Sequence, residues 1–169
     1  MSLAASILPE FDQEMAKTRT TLERVPGNKF DWKPHEKSFS FMEMANHLAR
    51  LPGWGTATLN TESMDLDPEK GEFTPPPTVE SPEEVLTLFD QGVAELRNAL
   101  KGSTDEDLLQ EWTLLNGGEE LFKMPRMAVI RGMILNHIVH HRGQLTVYLR
   151  LNDLPLPALY GPSADEGGM

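Results

Sequence analysis

Five histidines and no cysteine mean that a transition-metal site in this chain has to be built from imidazole and carboxylate. His137 and His141 stand four residues apart in Asn136-His-Ile-Val-His-His-Arg-Gly-Gln144. On a helix that spacing stacks their side chains on one face, with Cβ atoms about 5–6 Å apart, close enough to chelate one ion. His47 lies between Met44 and Leu51 on the apolar stripe of another predicted helix. A bundle that buries both stripes brings a third imidazole to the same point.

A lone histidine on an apolar face is more often a hydrogen-bonded core residue than a ligand. Three inward histidines without metal would each need a buried partner, because an unpaired polar group in a core costs on the order of 1–3 kcal/mol. The inward positions hold too few acids to provide those partners, so His47, His137 and His141 are the candidate metal ligands. His140 points roughly 100° away from the pair, toward a flank or a subunit contact. His35 sits in the polar loop Asp31-Trp-Lys-Pro-His35-Glu and is assigned no role. Asn136 and Gln144 can serve a ligand or solvent equally well. Arg142 reads as an ion-pair or interface residue, and Met42, Met44, Met127 and Met133 as core filler, since thioethers prefer softer metals.

The elements that must position these residues are helices. Leu8, Phe11, Met15, Thr18, Leu22 and Val25 recur at steps of three and four, which predicts a helix over about 3–25 ending at Pro26-Gly27. Ser40 with Glu43 three residues on is a capping box for a helix over about 41–60. Pro52 within it predicts a bend or an end of regular helix. Ser81-Pro82-Glu83-Glu84 starts a helix over about 82–101. The last and longest, over about 125–151, carries Ile130, Ile134, His137, His141, Leu145 and Tyr148 on one face. Before it, Asn116-Gly117-Gly118 between two short strand-like runs predicts a small hairpin. The stretch from Thr61 to Glu80 is a long loop, whose reach leaves the topology open, and the tail 152–169 is not helical. The expected fold is all-α, a four-helix bundle with long connections, in a single domain over 1–169.

Composition narrows the partners. With 26 acidic against 15 basic residues the net charge is −11, which repels phosphate backbones and anionic headgroups, so neither nucleic acid nor membrane is expected. No apolar run approaches the roughly 20 residues of a membrane span. The start MSLAASILPEFDQ has neither a basic n-region nor an apolar h-region, so the expected compartment is the cytoplasm. Ile138 and Leu149, with His140 nearby, suggest apolar surface on the last helix and hence a homodimer.

The run Asn136-His-Ile-Val-His-His-Arg-Gly-Gln144, with Ser40-Phe-Met-Glu-Met-Ala-Asn-His47, Trp32-Lys-Pro34 and the closing Leu151-Asn-Asp-Leu-Pro-Leu-Pro-Ala-Leu-Tyr-Gly161, resembles the DinB-like (YfiT-like) family of metal-binding four-helix bundles. The resemblance covers nearly the whole chain. It implies a site for nickel, zinc or a similar divalent ion on His47, His137 and His141. It also implies activities such as thiol S-transfer with bacillithiol or mycothiol, or mycothiol-dependent maleylpyruvate isomerisation, alongside many members without an assigned reaction.

Three neutral imidazoles leave a divalent ion its full charge and an open position, the arrangement of catalytic rather than structural sites. Three functions follow in order: a thiol S-transferase using a low-molecular-weight thiol, a metal-dependent hydrolase, and a noncatalytic metal-binding stress protein. A second pocket lined by the 61–80 loop and the tail favours the first, a nearby carboxylate the second, and a filled coordination sphere the third.

Overall fold

The computed structural model describes residues 2–67, 69 and 78–167. Four helices carry the bundle: α1 (Leu3–Leu22), α2 (Phe41–Asn60), α3 (Pro82–Gly102) and a composite fourth helix. The fourth consists of α5 (Arg126–Val129), a π-helical segment (Ile130–Leu135) and α6 (Asn136–Leu151). A short helix, α4 (Asp105–Leu109), precedes strands β2 (Glu111–Asn116) and β3 (Glu119–Pro125), and strand β1 (Ser63–Asp65) follows α2. Helix starts are sealed where the sequence places short polar side chains. Ser40 accepts the Glu43 N–H while Glu43 accepts the Ser40 N–H at 2.7 Å, and Ser81 accepts the Glu84 N–H with Pro82 in the first turn. The loop before α2 satisfies further free donors, Phe41 N–H to the Trp32 carbonyl and Met42 N–H to the Phe30 carbonyl.

Each bundle helix turns an apolar face inward. Phe11 and Met15 of α1, Leu48 of α2, Phe89 and Leu96 of α3, and Ile134 and Leu145 of the fourth helix meet in one core. α2 packs along α3 and along the fourth helix, and α1 lies against the same two. Helices α2 and α3 approach closely because two glycines permit it. A Cβ on Gly55 would stand 2.6 Å from Leu96 Cδ2, and one on Gly92 would stand 3.3 Å from Pro52 Cβ. Regular helix does not end at Pro52 but runs on to Asn60, with the proline ring buried in this contact.

The predicted hairpin is present, and it belongs to a three-stranded sheet. Gly117 and Gly118 both have positive φ, 65° and 89°, the type I′ geometry that two-residue hairpin loops demand. The Asp65 carboxylate accepts both glycine N–H groups at 2.8 Å. Strand β1 pairs parallel with β2, Met64 beside Leu114, so the start of the long loop is an edge strand. The rest of that loop's Pro75-Pro76-Pro77 region lies outside the described residues.

Two expectations about the fourth helix change. Its buried arc is wider than one stripe: Ile138 and Leu149 are fully buried along with Ile134 and Leu145, because the helix packs on both α1 and α2. The apolar surface from which a homodimer is expected is therefore core. Its large exposed apolar side chains are Met133, Val147 and Leu151. Met133, read as core filler, is 41% exposed.

Arg142 points into the protein, 1% exposed. It donates to the Glu14 carboxylate at 2.5 Å, to the Glu14 carbonyl at 2.9 Å, to Thr18 Oγ1 at 3.2 Å and to the Tyr160 hydroxyl. Tyr160 in turn donates to Glu14 at 2.7 Å, and Lys17 stands 3.7 Å over the Tyr160 ring. Burial pushes the Glu14 carboxyl up. The hydrogen bonds from Tyr160 and Arg142, with the charges of Arg142 and Lys17, outweigh it and hold the group below its usual range. A carboxyl lowered on folding stabilises the protein above its unfolded pKa, about 4.3, and loses that contribution as pH falls below it. Glu14→Gln leaves the Arg142 charge buried and uncompensated, and should lower the unfolding free energy at pH 7 by about 3 kcal/mol in urea denaturation. Glu23→Gln, which breaks an exposed pair with Arg19, should cost no more than about 0.5 kcal/mol.

Candidate metal centre

His47 projects from the middle of α2, and His137 and His141 from successive turns at the start of α6. The structure brings all three together. His47 Nε2 and His137 Nε2 are 3.2 Å apart, and each of the three rings offers a nitrogen within 4.8 Å of the other two. Ring centroids lie 4.5, 4.6 and 4.9 Å from one another. Two nitrogens each about 2.0–2.1 Å from one ion at the tetrahedral angle stand about 3.3–3.4 Å apart. The His47–His137 separation is thus that of two ligands sharing an ion. Among the described residues, no carboxylate joins this cluster.

In two of the three rings the other nitrogen is engaged as in a metal-ligating histidine. His141 Nδ1 is 2.7 Å from Gln144 Oε1, and an amide oxygen only accepts, so Nδ1 carries the proton and Nε2 keeps its lone pair. His137 hydrogen-bonds the backbone of Met133 one turn earlier. Its helix is re-phased just before it, since the π-helical turn over Ile130–Leu135 ends with the Asn136 N–H on the Arg131 carbonyl, five residues back. All three rings are held neutral. Burial, then the nearby charges of His141, His137 and Arg50, pushes His47 down to about 4. Burial lowers His137, against its bond to the Met133 backbone, and lowers His141, against its bond to Gln144. Neutral imidazole is the ligating form, so these residues fit a divalent ion.

The His47 side of the cluster opens into a pocket of about 210 Å³ of mixed character, lined by Phe39, Met42, Glu43, Asn46, Arg50 and Thr78. Phe39 leans over the rings of His47 and His141, with centroids 5.7 and 6.3 Å away. Arg50 donates to Thr78 Oγ1 at 3.0 Å. Glu43 is committed to the Ser40 cap and to Lys33, at 3.0 Å. Asn46, buried beside His47, clasps the backbone of Val79 through both halves of its amide, at 3.0 Å each, and so holds the chain after the long loop against α2. The loop thus contributes Thr78 to this pocket, whereas the tail packs on the Arg142 side and lines neither flank of the cluster.

A family model described as the DinB superfamily matches residues 10–145. The chain belongs to the DinB superfamily. It is also 31% identical to the uncharacterised protein YrdA of Bacillus subtilis (strain 168) over 112 residues, 66% of this chain and 62% of that protein's length. Solved DinB-like structures share the fold at lower identity. YjoA of Bacillus subtilis superposes with a TM-score of 0.67 at 20% identity, covering 90% of this chain and 95% of that one. A DinB-like protein of Bacillus cereus ATCC 10987 gives 0.68 at 21%, covering 91% and 95%.

Of the remaining residues singled out in the sequence, Gln144 belongs to the site as the partner of His141. His140 is exposed with its ring 4.9 Å from that of His141, and His35 accepts the Lys37 N–H in an exposed turn. Asn136 is exposed. Phe39, Asn46 and Arg50 were not legible as site residues. Only Asn46, directly before His47 in the family-like motif, carried any signal. In chelated protein, an NMR titration should find His47 titrating near pH 4 and His137 and His141 below ordinary histidine. Because the unfolded chain binds these protons first, stability should fall as pH is lowered from about 6.5 toward 4. An ordinary His47 pKa contradicts this burial.

Proposed function

We propose that this DinB protein binds one divalent metal ion, zinc or nickel, on His47, His137 and His141, and uses it as a cytoplasmic thiol S-transferase. The observation that supports the reading is the convergence of three neutral imidazoles, with no carboxylate among them, one of which, His47, lines an open pocket. His47, His137 and His141 would hold such an ion without neutralising its charge, and it would supply the acidity that deprotonates a thiol or water near neutral pH. The chain's residues do the rest. Gln144 and the Met133 backbone hold two rings in the ligating tautomer, Asn46 fixes the pocket wall, and Arg50 adds positive charge to the pocket that His47 lines. In the overall reaction the thiol's S–H proton passes to solvent, its sulfur pair forms a bond to an electrophilic carbon, and the leaving group departs with its bonding pair. A free thiol of pKa near 8.5 is only a few per cent thiolate at pH 7, which is the deficit the site removes. A water-activating hydrolase is the weaker reading, because Glu43, the carboxylate lining the pocket, is already taken up by a helix cap and a lysine.

Elemental analysis should find one metal ion per chain in wild type and in His140→Ala, and none in His47→Ala or His137→Ala. Full metal retention in His137→Ala would sink the ligand assignment. Circular dichroism should show the variants folded.

Assayed with bacillithiol, mycothiol and glutathione against alkyl halides and epoxides, the metal-loaded protein should accelerate S-alkylation, and chelation or His141→Ala should abolish the acceleration. Metal-dependent ester or amide cleavage without thiol transfer selects the hydrolase. Neither activity, together with a coordination sphere filled by protein groups, selects a binding protein.

A further inference from the structure

The sheet is not joined to the bundle through the main core. Met64, Trp112, Leu114 and Val129 form a separate apolar cluster, with Trp54 packed against both clusters. Between them lies a cavity of about 50 Å³, whose walls include Trp54, Met64, Trp112, Phe122, Met133 and His137. It is open at one side, where Met133 is 41% exposed. Its lining is apolar almost throughout, and the polar groups it contains are satisfied elsewhere. The Thr58 hydroxyl donates to the Trp54 carbonyl at 3.0 Å, and the Trp112 indole N–H donates to Thr61 Oγ1 at 3.1 Å. His137 lines the cavity as well, its nitrogens engaged by the Met133 backbone and at His47, so its ring joins the cavity to the histidine cluster.

A cavity with no polar partner for water stays dry and accepts apolar guests, and ligand sites typically combine such walls with a very few polar groups. We infer that this cavity is an apolar subsite of the histidine centre, taking the compact, uncharged alkyl or haloalkyl end of the molecule whose reacting atom lies at His137. The role rests on the metal reading above, but occupancy of the cavity does not. The two flanks of the cluster then divide the labour. The Arg50 pocket faces the polar, anionic component, and the Trp54–Trp112 cavity faces the apolar one. Charge is excluded from the cavity, because a carboxylate there would be desolvated without a partner.

The probe is 1-chlorobutane, titrated into zinc-loaded and chelated protein, with butyrate as its charged counterpart in the chelated protein, where no metal can hold a carboxylate. Binding is read by quenching of tryptophan fluorescence, two of the three tryptophans lining the cavity, and by the shift of the His137 ring protons in NMR. Saturable binding of 1-chlorobutane to both forms is expected, with His137 shifted, His35 unmoved, and no comparable response to butyrate. Met133→Phe, which fills the exposed mouth, and Met64→Phe, which fills from the sheet, should each weaken binding several-fold, while Leu121→Ala on the outer hairpin should not. Absence of saturable binding, an equal response to butyrate, an unmoved His137, or indifference to both filling variants in folded protein overturns the subsite. Because chelated protein is included, such a failure is separable from a failure of metal binding, which the elemental analysis reads by itself.

Discussion

Three basic rings taken out of water together, with no acid beside them, cannot all be charged, and this constraint organises the centre. Desolvation and the charges of His141, His137 and Arg50 act in the same direction at His47, and desolvation also lowers His137 and His141 against a hydrogen bond at each. The bundle tolerates the arrangement because neutral imidazole still needs only one donor partner and one acceptor partner. Gln144 and the Met133 backbone, both accepting from a ring N–H, meet the need for an acceptor in two of the rings. The nitrogens left over point at one another. Packing of α2 against the fourth helix, through residues such as Leu48 and Leu145, is what forces this meeting, since each histidine lies at the margin of the same apolar face.

Much of this was visible in the sequence where cause and effect are local. The capping box at Ser40, the serine cap at Ser81, the four-residue spacing of His137 and His141, and the Asn-Gly-Gly turn all act within a few residues, and each appears where its pattern placed it. The position of His47 on an apolar stripe was legible too, because burial of that stripe leaves its neighbour nowhere else to go. What escaped was set by partners distant in the chain. Strand β1 exists only by pairing with β2 fifty residues later. The clasp of Asn46 on Val79 spans a loop, and the flanks of the centre are assembled from five elements.

The fourth helix shows a different kind of limit. Steps of four, three, four, four and three are compatible with a single straight stripe, and nothing in the run Ile130-Arg-Gly-Met-Ile-Leu135 distinguishes an α turn from a π turn. A stripe drawn for one neighbour also underestimates a helix that has two. Ile138 and Leu149 fall outside the histidine face, and would be surface if only α2 covered the helix. Contact with α1 makes them core instead.

That second contact has a consequence for the chemistry. Successive residues on an α-helix point about 100° apart, so His141 and Arg142 address different neighbours from adjacent positions. His141 faces α2 and the other two histidines, and Arg142 faces α1, where Glu14, Thr18 and the Tyr160 hydroxyl leave it no freedom. Rotation of α6 about its axis by even a fraction of this angle would withdraw His141 from His47 and simultaneously pull a buried guanidinium off its carboxylate. The second loss is the expensive one, since a separated buried pair costs about 3–5 kcal/mol. The ion pair on the α1 side therefore acts as a rotational stop for the histidines on the α2 side. Tyr160 brings the C-terminal tail into the same lock, which is how a segment that lines neither flank of the cluster still bears on its geometry.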